Sequence, residues 1–312
     1  MKRQVILLAL ALGVYSSASS GGFDFGKVLE AMGQAQQKQK TDTTQPSQTQ
    51  PGTTQSGSAQ QPAGNAAAGT QNQAPAINLF GKTKTEDEIR IGKQVAGDLL
   101  GAAPLVKDDT LQQYVNSVGR WIALQSGRPD LPWKFGVIES EDINAFAAPG
   151  GYVFLTKGLY KRLNNEAELA GVLAHEIAHV SKKHHLDLLK KSALIGMLAQ
   201  SVSKEVKGDT GVQNLIGNGA EMLARGLDKE AEFEADRIGV VFAAQSGYDA
   251  WGLPTVLQDM ATINTKDGRL ALLYKTHPSA ADRLTRLGEV VGDRFDSLPP
   301  GKEFADRFHR IR

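Results

Sequence analysis

The sequence predicts an α+β fold that is mostly helical and contains a small mixed β-sheet. Three observations support this prediction. From Thr85 onward, apolar residues recur at the i, i+3 and i+4 spacing of amphipathic helices. Two stretches rich in β-branched and aromatic residues, 133–138 and 152–155, interrupt the helices and predict strands. The sequence Pro149-Gly150-Gly151 predicts a tight turn immediately before the second strand.

Capping residues and apolar positions locate the helices. Acidic residues favour a helix that begins at Thr85 and ends near residue 100, and Asn165 is a favourable N-cap for another. Gly247 favours the end of a helix over 228–245, and Pro278 favours the start of a last helix. Further helices are predicted at 109–125, 186–202 and 212–225.

The first 20 residues have the features of a signal peptide. Lys2 and Arg3 precede an apolar run over 5–14, and Ser16-Ser17-Ala18 offers small residues for cleavage. The run is too short for a stable membrane anchor, although an uncleaved anchor remains the alternative interpretation. We therefore expect export to the periplasm, and we expect no transmembrane span in the mature chain.

Composition excludes several classes of site. The chain has no cysteine, so disulfides, cysteine-ligated metals and a cysteine nucleophile are excluded, as is a lipid-modified N-terminus. The formal net charge of +1 becomes −1 once Lys2 and Arg3 are removed, which argues against nucleic acid as a partner. Residues 21–76 are predicted to form a polar, disordered tether, and residues 77–312 one folded domain.

The most informative stretch is His175-Glu176-Ile177-Ala178-His179, within the helix that Asn165 caps. Two histidines four apart lie on one face of a helix and can bind one metal ion. The glutamate beside the first histidine can activate a water molecule on the open side of that metal. The alternative is a surface helix with two solvated histidines, although the chain has only 6 His in 312 residues.

A catalytic zinc usually has three protein ligands, so a third is needed. Glu232 and Asp236 lie four apart on one helical face, and they would supply a carboxylate ligand and a partner for a ligand histidine. A solvated acidic face is the alternative, and Glu234 points elsewhere. His185 is a rival ligand, but its spacing requires a helix break near Lys182, and nothing in the sequence predicts one.

His277 precedes Pro278 and lies at a predicted helix start. From this position a histidine could donate a hydrogen bond to an oxyanion, or it could close the fourth position of the zinc and hold an enzyme latent. A structural histidine is the third interpretation.

Together these residues resemble a zinc endopeptidase family that includes the CAAX prenyl protease, the membrane heat-shock endopeptidase and soluble periplasmic proteases. The resemblance covers most of residues 85–287 and rests on four blocks in order. These blocks are NAFAAPGGYVFLTKGL, AHEIAHVSKKH, EAEFEADRIG and THPSAADRL. The resemblance implies a zincin-like domain whose edge strand borders the active site.

The resemblance also implies a role for each matching residue. His175, His179 and Glu232 would bind one Zn²⁺ per chain, and Glu176 would be the general base on the zinc-bound water. Asp236 would orient a ligand histidine, and Arg283 would support the site. Asn144 would hydrogen-bond the substrate backbone. The strand containing Tyr152, Val153 and Phe154 would be the sheet edge along which an extended peptide docks.

We therefore predict a zinc-dependent metalloendopeptidase that hydrolyses unfolded or misassembled cell-envelope proteins. Its partners would be extended polypeptides, with peripheral association to the outer membrane or its assembly machinery. The alternative is a proteolytically weak, chaperone-like protein that binds peptides in the same groove. A zinc hydrolase acting on a non-peptide bond is a further alternative, and an edge strand beside the site argues against it.

Overall fold

A computed structural model describes residues 78–79, 81–202, 226–263, 267–291 and 301–311. The predicted signal peptide, the tether and the predicted helix over 212–225 lie outside these ranges. The described helices are α1 (Thr85–Ala102), α2 (Asp109–Ala123), α3 (Lys157–Tyr160), α4 (Glu166–Lys182), α5 (His184–Val202), α6 (Lys229–Gln245), α7 (Gly252–Thr262), α8 (Ala271–Thr276) and α9 (Ala280–Val291). The strands are β1 (Lys134–Ile138), β2 (Ala145–Ala148) and β3 (Tyr152–Thr156). The α+β class with a small mixed sheet is confirmed.

The strand order of the sheet is β1-β3-β2. Strand β3 pairs parallel with β1 and antiparallel with β2, so it is central. Alternate residues of β3 point to opposite faces of the sheet, as strand geometry requires. Val153 and Leu155 join the main apolar core, whereas Phe154 joins a second core beneath α1. Because both faces of the sheet are covered, the strands are almost continuously apolar.

Helix α4 runs through the centre of the molecule. All of its residues from Glu166 to Val180 are buried, which is expected of a helix covered on every side. The side chain of Asn165 caps α4 by accepting a hydrogen bond from the Glu168 N–H at 2.9 Å. At the other end Lys183 has a left-handed backbone with φ of 62°, and α5 begins at the next residue. The expectation that nothing breaks the helix near Lys182 was therefore wrong.

Helices α4 and α6 pack with their backbones unusually close. A Cβ atom at Gly239 of α6 would lie 2.8 Å from the backbone nitrogen of His175. A glycine at this point allows an approach that any larger residue would prevent. The approach brings the α6 carboxylates directly beside the histidines of α4.

The C-terminal segment, residues 301–311, crosses the start of α4. The Ala167 N–H donates to the Glu303 carbonyl at 3.1 Å, and the Tyr160 hydroxyl donates to the His309 carbonyl at 2.5 Å. Arg307 forms an ion pair with the buried Glu166 carboxylate. The last described residues therefore fix the N-terminal end of the helix that carries the histidine motif.

Candidate metal centre

The two motif histidines of α4 converge as their spacing predicts. The Nε2 atoms of His175 and His179 lie 3.0 Å apart, and both side chains are buried. One turn of helix separates the residues, so both rings project from the same face. Two imidazole nitrogens at this separation can bind one metal ion.

Helix α6 adds a carboxylate opposite the two histidines. Glu232 Oε2 lies 3.6 Å from His175 Nε2, and Glu232 Oε1 lies 3.5 Å from His179 Nε2. His277, at the C-terminal end of α8, contributes its Nε2 atom 3.7 Å from Glu232 Oε2. One ligand atom from each of these four residues lies within 4.8 Å of the others. The structure therefore brings together the ligands and the histidine that the sequence singled out.

The Glu232 carboxylate provides a test of whether these residues fit a metal ion. Its side chain is 0% exposed, and neither oxygen has a hydrogen-bond partner within the described part of the chain. A buried carboxylate without donors is costly, because it has lost water and gained nothing in its place. Donor atoms about 3.3 Å apart are expected of a tetrahedral site with bonds of ~2.05 Å. The observed separations of 3.0–3.7 Å are close to that value, so the residues fit a metal.

Asp236 contacts the Nδ1 side of His175, and Arg283 contacts both Asp236 and the His175 ring. Asp236 Oδ1 lies 3.0 Å from His175 Nδ1, and the Arg283 Nε donates to Asp236 Oδ2 at 2.9 Å. Burial alone would raise the pKa of Asp236, but the guanidinium of Arg283 holds that pKa well below its usual range. An ionised carboxylate at Nδ1 keeps the proton there and leaves Nε2 free to bind a metal. This is the orienting contact expected of Asp236.

Electrostatics distinguish Glu176 from the ligands. Burial raises the pKa of the Glu176 carboxyl to about 7, although the nearby His175 opposes this shift. At His277 burial has the opposite effect on a basic group: it lowers the pKa of the imidazole to about 4, so that ring is neutral at physiological pH. Glu176 and His277 line one cavity together with Ala145 and Ala147 of β2. A carboxyl that titrates near neutrality thus lies beside the candidate metal ligands.

The structure corrects the expected substrate edge. Tyr152, Val153 and Phe154 belong to the central strand β3, whose backbone is paired on both sides. The expectation that they form the sheet edge was therefore wrong, because a paired strand has no free hydrogen-bonding side for a peptide. The edge beside the site is β2, which was not predicted as a strand. Its sequence, AFAA, contains little of the β-branched composition that marks strands.

Asn144 lies immediately before β2 and is completely buried. Its side-chain amide donates to the Thr276 hydroxyl at 3.4 Å, and that hydroxyl lies 2.8 Å from His277 Nδ1. The side-chain Oδ1 atom of Asn144 has no hydrogen-bond partner among the described residues. Asn144 therefore lies next to the site, in contact with the residue that precedes His277.

His184 and His185 follow the break in the helix. His184 Nδ1 lies 2.9 Å from His179 Nδ1, and its Nε2 atom lies 3.1 Å from Glu234 Oε2. His185 lines the cavity that contains Glu176 and is not among the four clustered ligand residues. No sequence pattern predicts the contacts of His184, because they depend on the left-handed conformation of Lys183.

Three features together define the class of metal-dependent peptidase domains. They are a helix with two facing histidines, a carboxylate from a second helix and an adjacent small sheet. The comparison with known families identifies the family. The model of peptidase family M48 matches residues 109–291. The chain therefore belongs to peptidase family M48.

Similar proteins carry names that agree with this assignment. The chain is 31% identical over 237 residues to a beta-barrel assembly-enhancing protease of Yersinia pestis, which covers 71% of this chain and 49% of that protein. It is 32% identical over 205 residues to a protease of the same name in Escherichia coli strain K12, covering 63% and 42%. It is 28% identical over 176 residues to the mitochondrial metalloendopeptidase OMA1 of Schizosaccharomyces pombe, covering 56% and 52%. The chain thus spans about half the length of these relatives.

Proposed function

We propose that this protein is a zinc-dependent endopeptidase whose metal ligands are His175, His179 and Glu232. The observation that carries the proposal is the Glu232 carboxylate, which is fully buried, has no donor among the described residues and lies 3.5–3.6 Å from two histidine nitrogens. A bound cation would satisfy both carboxylate oxygens at once. Zinc fits a donor set of imidazoles and one carboxylate, and the chain offers no thiolate ligand.

When bound, zinc supplies Lewis acidity, which polarises a carbonyl and makes a water molecule acidic near neutral pH. The remaining chemistry belongs to the chain. Glu176 accepts the proton of the attacking water and passes it to the nitrogen of the departing amine. Its pKa, which burial raises to about 7, is close to the value at which a carboxylate can both accept and release a proton at neutral pH.

Substrate would bind as an extended peptide along β2. Ala145 and Ala147 of this edge strand line the cavity that contains Glu176 and His277. Backbone pairing with an edge strand holds a peptide in extended form without reading its sequence closely. Asn144, just before the strand, would hydrogen-bond the substrate backbone through its side-chain Oδ1 atom, which has no partner among the described residues. Tyr152, Val153 and Phe154 would support this edge from the central strand.

His277 has two candidate roles at the same position. Its Nε2 atom lies near enough to Glu232 to bind the same metal ion as a fourth ligand. A fourth protein ligand would hold the enzyme latent. If His277 moves away from the metal, its ring could instead stabilise the oxyanion that forms on the substrate. Arg283 would hold Asp236, and through it His175, in either case.

We propose unfolded or misassembled cell-envelope proteins as the substrates. Support comes from the names of the relatives, which are beta-barrel assembly-enhancing proteases in two bacteria. Residues 1–20 would be a signal peptide that directs the protein to the periplasm, and residues 21–76 a tether to a domain over 77–312. Among the described helices, none is long and apolar enough to cross a membrane.

Glu176→Gln tests the proposed reaction. The variant should bind zinc with wild-type affinity, but casein cleavage should fall by ~10²–10⁴-fold because the general base is lost. Glu230→Gln, an exposed carboxylate on α6, is the matched control and should cleave normally. If wild type and Glu176→Gln bind zinc and peptide but are equally inactive, the chaperone-like alternative gains and the peptidase proposal fails.

A further inference from the structure

The ligand histidines of the proposed zinc centre have different partners at their second ring nitrogens. His175 Nδ1 contacts Asp236 directly at 3.0 Å. His179 Nδ1 instead contacts another histidine, His184, at 2.9 Å. His184 in turn contacts the carboxylate of Glu234 through Nε2 at 3.1 Å. Carboxylates of α6 therefore lie behind the Nδ1 atom of both ligand histidines. The contact is direct at His175 and passes through the His184 ring at His179.

We propose that His184 and Glu234 form a positioning relay that fixes the tautomer and orientation of the metal ligand His179. This inference rests on the proposed zinc centre and deepens it. Neither residue is among the four clustered ligand residues or lines the cavity that contains Glu176, so both would act through His179.

Hydrogen-bond accounting allows one consistent set of tautomers. If His179 presents the Nε2 lone pair to a metal, its ring proton is on Nδ1. That proton is donated to His184 Nδ1, which must therefore be the acceptor. The His184 proton is then on Nε2, where it meets the Glu234 carboxylate, a group that can only accept when ionised. Each donor in this chain faces an acceptor.

The charge of Glu234 is itself held in place. Lys182 Nζ lies 2.8 Å from Glu234 Oε1, on the oxygen that His184 does not use. The Glu234 carboxylate thus lies between the Lys182 ammonium and the His184 ring, with one oxygen directed at each.

Backbone geometry explains why the relay needs the break at Lys183. In a continuous α-helix, residue i+5 is rotated by about 140° from residue i, so His184 could not face His179. The left-handed conformation of Lys183, with φ of 62° and ψ of 26°, ends α4 and redirects the chain. Left-handed backbone is unfavourable for a residue with a side chain. At Lys183 this conformation brings His184 against the His179 ring.

Position along α6 explains why Glu234 needs an intermediate. Glu232 and Asp236 lie four residues apart on the face directed at α4. Glu234, midway between them in sequence, lies on a different face of α6 and is directed toward α5. Its carboxylate does not reach His179 directly, and the His184 ring lies between the two groups.

Zinc affinity tests the relay independently of proteolysis. His184→Phe keeps a ring but removes the acceptor, and its zinc dissociation constant should rise by ~10–100-fold, the usual cost of losing an outer contact to a ligand. Glu234→Ala should weaken zinc binding in the same direction. His184→Asn, whose carbonyl oxygen can lie near the former Nδ1 position, should recover most of the affinity. Glu230→Ala is the matched control, because it removes an exposed carboxylate from the same helix and leaves both relay hydrogen bonds in place.

Two further measurements separate positioning from a merely structural role. The visible spectrum of the cobalt-substituted protein should change in His184→Phe and return toward wild type in His184→Asn. Thermal unfolding in the presence of a chelator should be alike in all four variants. Wild-type zinc affinity and an unchanged cobalt spectrum in both His184→Phe and Glu234→Ala would overturn the relay while leaving the zinc centre intact. A wild-type protein that binds no zinc would overturn the centre and the relay with it.

Discussion

Two buried glutamates, one in each of two regions of the molecule, differ completely in their hydrogen bonding. Glu166, at the start of α4, is 1% exposed and accepts hydrogen bonds from the Tyr114 and Tyr248 hydroxyls at 2.9 and 2.8 Å. It also forms an ion pair with Arg307. Glu232, beside the middle of the same helix, is 0% exposed and has no donor within the described residues.

The contrast indicates that the two charges are buried for different reasons. A buried carboxylate costs free energy unless donors replace the lost water. At Glu166 the chain itself supplies the donors, so the charge stabilises the fold. At Glu232 the described residues supply none, and a bound cation would offset the cost. Burial alone does not identify a functional group, whereas a buried carboxylate without donors beside two histidines marks a candidate.

Glu232→Gln should produce the largest effect. It should separate the contribution of Glu232 to zinc affinity from its contribution to folding stability. The amide removes an anionic ligand, so zinc affinity should fall by at least ~100-fold. The stability of the metal-free protein should change little, because Glu232 has no hydrogen-bond donor among the described residues to lose. Competition with a chromophoric chelator and urea unfolding in EDTA measure the two quantities. A marked loss of metal-free stability would show that Glu232 has donors of its own.

His277→Ala tests whether His277 closes the metal site beside Glu232. Its Nε2 atom lies 3.7 Å from the carboxylate. If His277 closes the metal site, basal casein cleavage should rise. If it stabilises the oxyanion, cleavage should fall by ~10²-fold or more. An unchanged rate would remove His277 from the mechanism, and zinc affinity measured in parallel shows whether the metal was retained.

Glu166→Gln should show the opposite pattern to Glu232→Gln. Losing the charge weakens several charge-assisted hydrogen bonds, which should lower the free energy of unfolding by about 2–3 kcal/mol. The Arg307 side chain is 54% exposed, so the ion pair contributes the smaller part of this loss. Zinc affinity of the folded variant should equal that of wild type. Reduced zinc affinity at full stability would contradict the assigned structural role.

Glu88 offers a smaller, pH-dependent version of the same comparison. It is buried and accepts two hydrogen bonds from Arg128, at 2.8 and 2.9 Å. Burial tends to raise its pKa, but Arg128 and Lys183 hold the pKa below 4.5. A lowered folded-state pKa stabilises the protein above about pH 4.5, and this stability is lost as the pH falls through the folded-state value. The free energy of unfolding between pH 6 and pH 3 should therefore fall less steeply in Glu88→Gln than in wild type.

Much of the site could be predicted from short-range sequence patterns. The histidine spacing, the Asn165 cap and the four-residue spacing of Glu232 and Asp236 are local properties of single helices. The structure places the predicted ligand atoms of His175, His179 and Glu232 within reach of one another. What the local patterns leave open is the identity of the metal and the role of His277.

The features that escaped prediction depend on contacts between distant segments. Strand order is decided by pairing across the sheet, so nothing within residues 152–155 reveals that this strand is central. The Glu166 network joins residues 141 positions apart in the chain. The break at Lys183 gave no signal because left-handed helix ends are usually marked by glycine, and the packing of α5 maintains it here.

The hairpin turn between β2 and β3 has a consequence for the size of the catalytic unit. Gly150, with φ of 76°, lies so close to α1 that a Cβ atom would be 2.6 Å from the Ile89 Cα, and its N–H donates to Glu88 at 3.3 Å. Helix α1 ends before residue 109, where the match to the family begins. A protein trimmed to the family match would therefore lose the support beneath β2, the strand proposed to bind substrate. The smallest active fragment should begin upstream of Thr85, so domain borders drawn from family resemblance alone would be set too far into the chain.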